Sequence, residues 1–168
     1  MSGMDFELRD AVAAPLDRVE AALFAPVFFE RLGELPNVAA PELLSEDKEF
    51  DGAVIVRRVR YRFTGEVSGA VRRVVDPEQM SWVDESRYDL GAHEATHQII
   101  PDQYGSMLRC AYDEALMPAG AGCVRTAAGQ LAVKVPLVGG KVEKAIIGGL
   151  RERATAEAQV LAALANGQ

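Results

Sequence analysis

Two histidines, a few carboxylates and a few arginines are the residues of this chain that could do chemistry. His93-Glu94-Ala95-Thr96-His97 spells H-E-x-x-H. On a helix, that spacing puts both imidazoles on one face to bind zinc, with the glutamate activating a water. On a strand, the same two rings lie roughly 13 Å apart along the chain, too far for one metal. Gly91 and Pro101 bracket only nine residues here, Ile99-Ile100 are β-branched, and no further histidine extends the motif. A strand is therefore expected and zinc chemistry is the remotest reading. No metal and no cofactor is expected.

Strand alternation supplies a second constellation. Met80, Trp82, Asp84, Ser86 and Tyr88 share one face, as do His93, Ala95, His97 and Ile99. Leu108, Cys110, Tyr112, Glu114 and Leu116 form a third such row. Cys123, Arg125, Ala127, Gly129, Leu131 and Val133 form a fourth. These are the more apolar faces and are expected inward. A two-residue turn at Leu90-Gly91 sets Asp84 opposite His97 and Tyr88 opposite His93. A Met117–Gly122 loop sets Glu114 opposite Arg125 and Cys110 opposite Gly129. A Thr64–Glu66 loop pairs Phe63 with Val67 and brings Arg57 opposite Arg73. One slip of register turns every side chain over, so these pairings are expectations of parity first.

Buried charges need partners. Asp84–His97 and Glu114–Arg125 therefore read either as structural cross-strand pairs or as polar groups converging in an apolar pocket. Arg153, four residues before Glu157, is either a helix-surface pair or an anchor for an anionic head group. Trp82, Tyr88 and Tyr112 are core residues or a ligand platform.

The elements that must position these groups follow from breakers and periodicity. A first strand spans 4–11. Pro15 opens a helix, Pro26 ends it and starts a second short one to Leu32, and Gly33 closes that. Strands are expected over about 42–49, 53–63, 67–75, 79–90, 92–100, 105–116 and 122–135. Val133-Lys134-Val135-Pro136 then turns into one long helix, reaching about Leu164. Val142, Ala145, Ile146, Gly149, Ala156, Val160, Ala163 and Leu164 recur on it at helical spacing. Gly149 interrupts the stripe at a cost of roughly 1 kcal/mol against alanine, which suggests close packing, a bend, or room for something.

The order of elements predicts an α+β domain over residues 1–168: a curved antiparallel sheet of seven to eight strands, two short helices after the first strand, and a long C-terminal helix. In that order, and in Ala14-Pro15-Leu16-Asp17-Arg18-Val19 with Ala25-Pro26, and Val133–Glu143, the whole chain resembles the helix-grip SRPBCC superfamily (START, birch-pollen-allergen and polyketide-cyclase-like proteins). The nearest resemblance is to a bacterial branch that carries no activity to transfer. The resemblance implies a hydrophobic cavity between sheet and last helix. Its expected lining is Trp82, Asp84, Tyr88, His93, His97, Tyr112, Glu114, Arg125, Leu131, Val142, Ile146, Gly149 and Arg153. The expected ligand is a hydrophobic or amphipathic small molecule, with no catalysis assumed. The alternative is a cyclase- or dehydratase-type enzyme using Asp84–His97 as acid and base.

Composition narrows the rest. The chain has 168 residues, 49% of them hydrophobic, and a net charge of −7. The charge is segregated: residues 1–52 carry −8, 53–75 carry +5, 76–124 carry −7 and 125–168 carry +3. An acidic chain is a poor default partner for nucleic acid, so none is expected. No apolar run approaches the roughly 20 residues of a membrane span. The N-terminus lacks the features of a signal peptide, so a cytoplasmic location is expected. Cys110 and Cys123 read as small buried hydrophobes.

Overall fold

The computed structural model describes residues 3–168. Among these, seven strands form one antiparallel sheet: β1 (Met4–Val12), β2 (Glu42–Glu49), β3 (Val54–Arg62), β4 (Ser81–Asp89), β5 (Glu94–Pro101), β6 (Leu108–Ala119) and β7 (Gly122–Val133). Their order is β1-β7-β6-β5-β4-β3-β2. The meander runs from β2 to β7, and β1 joins the far edge against β7.

Between β1 and β2 lie α1 (Leu16–Leu23) and α2 (Pro26–Leu32). Each has proline at its N-terminal boundary, where the missing N–H is harmless. The long helix α4 (Gly139–Ala165) packs on β1 and β7 and against α1 and α2. The expected α+β architecture is therefore the one observed.

One expected strand is absent. Residues 67–75 leave the sheet and contain a short helix, α3 (Gly69–Arg72), whose N-cap Ser68 accepts from the Val71 N–H at 3.4 Å. Val67, Val71 and Val75 are half-buried, with exposed residues between. Their spacing of four suits one face of a helix as well as it suits strand parity. β3 consequently pairs with β4 directly, placing Arg57 opposite Ser86 and Val59 opposite Asp84. Arg57 does not oppose Arg73.

The other two registers are displaced by two residues. The β4–β5 turn spans Leu90–His93, so His97 lies opposite Ser86 and Tyr88 opposite Ala95. The β6–β7 turn holds only Gly120-Ala121, so Glu114 lies opposite Ala127 and Cys110 opposite Leu131. A slip of two preserves the face of every side chain, because strand period is two.

The core is divided. One apolar cluster joins Val12, Val19, Leu23, Phe28, Leu32, Leu116, Cys123, Ala158 and Leu161. The other joins Phe6, Leu8, Cys110, Leu131 and Ile147. Both cysteines are buried and free. Burial pushes the Cys110 thiol up to about 11. Along β6, β7 and α4 alike, charged residues occupy the stretch between the two clusters.

Candidate functional site

That stretch holds a continuous chain of ionisable groups. His97 Nδ1 lies 3.0 Å from both carboxylate oxygens of Asp84. A carboxylate only accepts, so Nδ1 carries the proton and Nε2 faces the other way. Nε2 is 3.6 Å from Glu114 Oε2 and makes no hydrogen bond. Arg125 donates from Nη2 to Glu114 and from Nη1 to Glu157, both at 3.2 Å. Arg153 donates to the second Glu157 oxygen at 3.2 Å, and to the Leu32 carbonyl at the end of α2 at 3.4 Å. Charges alternate along the whole run from β4 to α2.

Asp84, His97 and Glu114 are all buried. Burial works against a charged His97, but the hydrogen bond to Asp84 and the charges of Asp84 and Glu114 outweigh it. The imidazole pKa is therefore raised above its usual value. Burial likewise opposes the charge on Arg125, while Glu114 and Glu157 more than compensate and hold it protonated.

Aromatic rings frame His97. Tyr112 stacks on it at 4.4 Å and 6°. Tyr88 meets it edge-on at 5.5 Å and meets Phe24 at 4.9 Å. Further along the same face, Tyr61 stacks on Trp82 at 5.9 Å. Tyr61, Trp82, Tyr88 and Tyr112 are half-buried, not sealed. Yet burial is the leading cause that raises the phenol pKa of Tyr61, Tyr88 and Tyr112.

The two flanks of α4 differ. Arg151 donates to the Glu7 carbonyl at 3.4 Å and Thr155 to Asp10 at 2.8 Å, tying one flank to β1. On the other, Glu157 meets Arg125 of β7 and Arg153 reaches the end of α2. At 100° per residue, Val142, Ile146 and Gly149 share the side of Arg153. Val142 and Ile146 are half-buried, Gly149 is exposed, and a Cβ at Gly149 would meet nothing within 4 Å. The most deeply buried helix positions are instead Glu143, Ile147, Ala158 and Leu161, one residue away from the expected stripe. Alanines surround much of this helix, so its apolar pattern is broad and the position of the β1–β7 edge decides which line is covered.

Two expected lining residues are elsewhere. His93 lies in the β4–β5 turn at φ 57° and its ring meets Glu20 of α1 at 2.9 Å. Leu131 is sealed in the cluster with Phe6, Leu8, Cys110 and Ile147. The two histidines thus take different partners, and the H-E-x-x-H run is turn and strand, not helix. Among the described residues, no group of three histidine, cysteine or acidic side chains is arranged to hold a metal ion. Members outside the expected lining are Tyr61, which shares strand parity with Arg57 and Val59, and Ser86, expected inward and buried opposite His97. Phe24 is another, brought in by α1.

Arg57 is buried but differently employed. It donates to the Leu23 carbonyl at 3.2 Å, capping α1, and lies over the rings of Phe24 and Phe29 at 5.2 and 4.9 Å. An open hollow of about 1080 Å³ lies on the outward sheet face, lined by Asp5, Glu7, Glu85, Arg87, Gln98 and Asp113 among others, and it also touches Ser86, His97 and Tyr112.

A curved sheet holding a long C-terminal helix defines the helix-grip fold. Solved structures agree. The protein TTHA0849 of Thermus thermophilus is 16% identical over 98% of both chains, with a TM-score of 0.67. The ZhuI aromatase/cyclase of Streptomyces sp. R1128 is 13% identical over 99% of this chain and 93% of that one, with a TM-score of 0.62. A START superfamily protein of Mycobacterium smegmatis is 15% identical over 99% of each chain, with a TM-score of 0.58. The chain belongs to the DUF2505 family, described as a protein of unknown function, whose model matches residues 7–164. No curated protein sequence matches the chain significantly. No helix among the described residues is long and apolar enough to cross a membrane.

Proposed function

We propose that residues 1–168 act as one helix-grip domain in the cytoplasm that binds a hydrophobic or amphipathic small molecule between the sheet and α4. The observation that carries this reading is the set of deep but accessible rings, Tyr61, Trp82, Tyr88 and Tyr112, on the covered face of the sheet. Apolar walls with a few convergent polar groups are the usual make-up of a ligand site. His97 Nε2 supplies the polar point: it is buried and has no hydrogen-bond partner. Native mass spectrometry of protein purified from cells tests the reading, with a retained lipid-like or polyketide-like mass as the expected result. A panel of fatty acids and aromatic polyketides that leaves the melting temperature unmoved would count against it.

A catalytic reading rests on one specific feature, the Asp84–His97 pair. Asp84 orients the ring and raises its basicity, and Nε2, 3.6 Å from Glu114 and without a hydrogen bond, would exchange the proton with a bound hydroxyl or carbonyl. If His97→Ala keeps ligand binding but abolishes conversion of a bound substrate, the enzyme reading holds. If binding and product profile are unchanged, it fails.

A further inference from the structure

One end of the sheet carries two lips with exposed basic side chains, each with an exposed apolar residue. On the first, Val135 is buried and α4 begins at Gly139, so Pro136 and Leu137 are pushed outward between two anchors. Leu137 is 103% exposed and sits at φ 68°, a left-handed conformation costly for leucine. Glycine would fit that backbone better and lose nothing in packing. Strain of this kind, retained for a side chain that touches nothing, points to a use outside the folded chain. Arg109, Lys134, Lys141 and Lys144 are exposed around this tip. Leu137 also borders an open hollow of about 990 Å³ at the start of α4.

The second lip holds Val74, 41% exposed, beside the exposed Arg72 and Arg73. The lips are linked through the loop between β5 and β6. The Lys134 N–H donates to the Met107 carbonyl at 2.7 Å, and the Tyr104 hydroxyl accepts from the Asp76 N–H at 3.0 Å. None of these six basic side chains has an ion-pair partner among the described residues. Nearby Asp102 is held by Arg60. The opposite end carries Asp47, Glu49, Asp51, Asp89 and Glu94 at its turns. Glu66, Asp76 and Glu78 are also exposed beside the second lip and Glu143 lines the hollow, so the excess of positive charge sits on the first lip, at Arg109, Lys134, Lys141 and Lys144.

We propose that the basic end docks on the surface of an anionic membrane, with Leu137 entering the headgroup layer and the lysines and arginines meeting lipid phosphates. A protein partner would need a packed apolar centre within roughly 800 Å² per side. Here the apolar groups are single protruding side chains in a diffuse basic ring, the arrangement a lipid interface accepts. The overall negative charge opposes unspecific adsorption to such a surface, so binding reports on this end alone.

Vesicle co-sedimentation of the full chain tests the proposal. Phosphatidylglycerol-rich vesicles should bind the protein and pure phosphatidylcholine vesicles should not, with binding weakened by high salt. Leu137→Gly should keep or raise the melting temperature and reduce binding roughly tenfold, as should the combined Lys134→Gln, Lys141→Gln and Lys144→Gln variant. Equal binding to both vesicle types, no binding to either, or wild-type binding by Leu137→Gly overturns it. These variants leave His97 and the aromatic face untouched, so loss of vesicle binding and loss of an internal ligand are separate outcomes.

Discussion

His97 Nδ1 sits 3.0 Å from both oxygens of Asp84, and this one contact sets the direction in which the protein responds to pH. The folded-state pKa of His97 is raised. The stability contributed by the protonated ring is therefore complete below its unfolded value of about 6.5 and is lost as pH rises through the higher folded value. Melting temperature should fall across that window in the wild type, and Asp84→Asn should flatten the fall. With only two histidines in the chain, a His93→Gln background makes the imidazole NMR titration unambiguous. A His97 midpoint at or below about 6.5 would contradict the arrangement.

Arg125 bridges Glu114 and Glu157 from a largely covered position. Replacing it by methionine leaves the buried Glu114 without its arginine and Glu157 with Arg153 alone. The expected loss is about 3–5 kcal/mol in urea unfolding. Adding Glu114→Gln and Glu157→Gln to Arg125→Met should recover much of that loss, since the penalty comes from the stranded charges. Additive losses in the triple variant would mean the three side chains do not act as one network.

How far the sequence could be read depended on what each signal encodes. Pro15, Pro26, Gly33 and the Pro136–Gly139 run mark helix ends through backbone chemistry, and the observed elements begin and end there. Strand parity put Asp84, His97, Glu114 and Arg125 on one face. It survived register errors of two residues because an even slip does not turn a strand over. Diagonal contacts then restored both pairs, since long side chains reach past the directly opposed residue. Residues Val67–Val75 failed because a valine at every fourth position is also even spacing. The partners of His93 and the reach of Arg153 to α2 were out of sight, because they depend on how α1 and α2 fold back over the sheet.

Gly129 lies at the middle of β7, opposite Tyr112 on one side and Phe6 on the other. A Cβ there would overlap the Ala111 carbonyl oxygen and the Tyr112 Cβ. The backbone of β6 cannot move away without disturbing the Tyr112–His97 stack. Gly129→Ala should therefore cost about 3 kcal/mol or more by chemical denaturation. It should also shift the near-ultraviolet circular dichroism of the tyrosines. Wild-type stability for this variant would show that the sheet has slack at its centre.

Gly148 and Gly149 give the opposite expectation. Neither has an atom within 4 Å of where a Cβ would stand, and both lie inside α4. Alanine at either should raise stability by roughly 0.5–1 kcal/mol, because it removes the backbone freedom glycine brings to the unfolded chain. The two positions part company when the side chain grows. Gly148 is displaced by 100° from Gly149, away from the flank shared by Ile146 and Arg153. Gly149→Phe should therefore exclude any ligand retained against that flank, while Gly148→Phe should not. The check is the retained mass in native mass spectrometry of the two variants. If both keep the wild-type mass, the space beside Gly149 is solvent and the ligand lies nearer the β4–β6 rings.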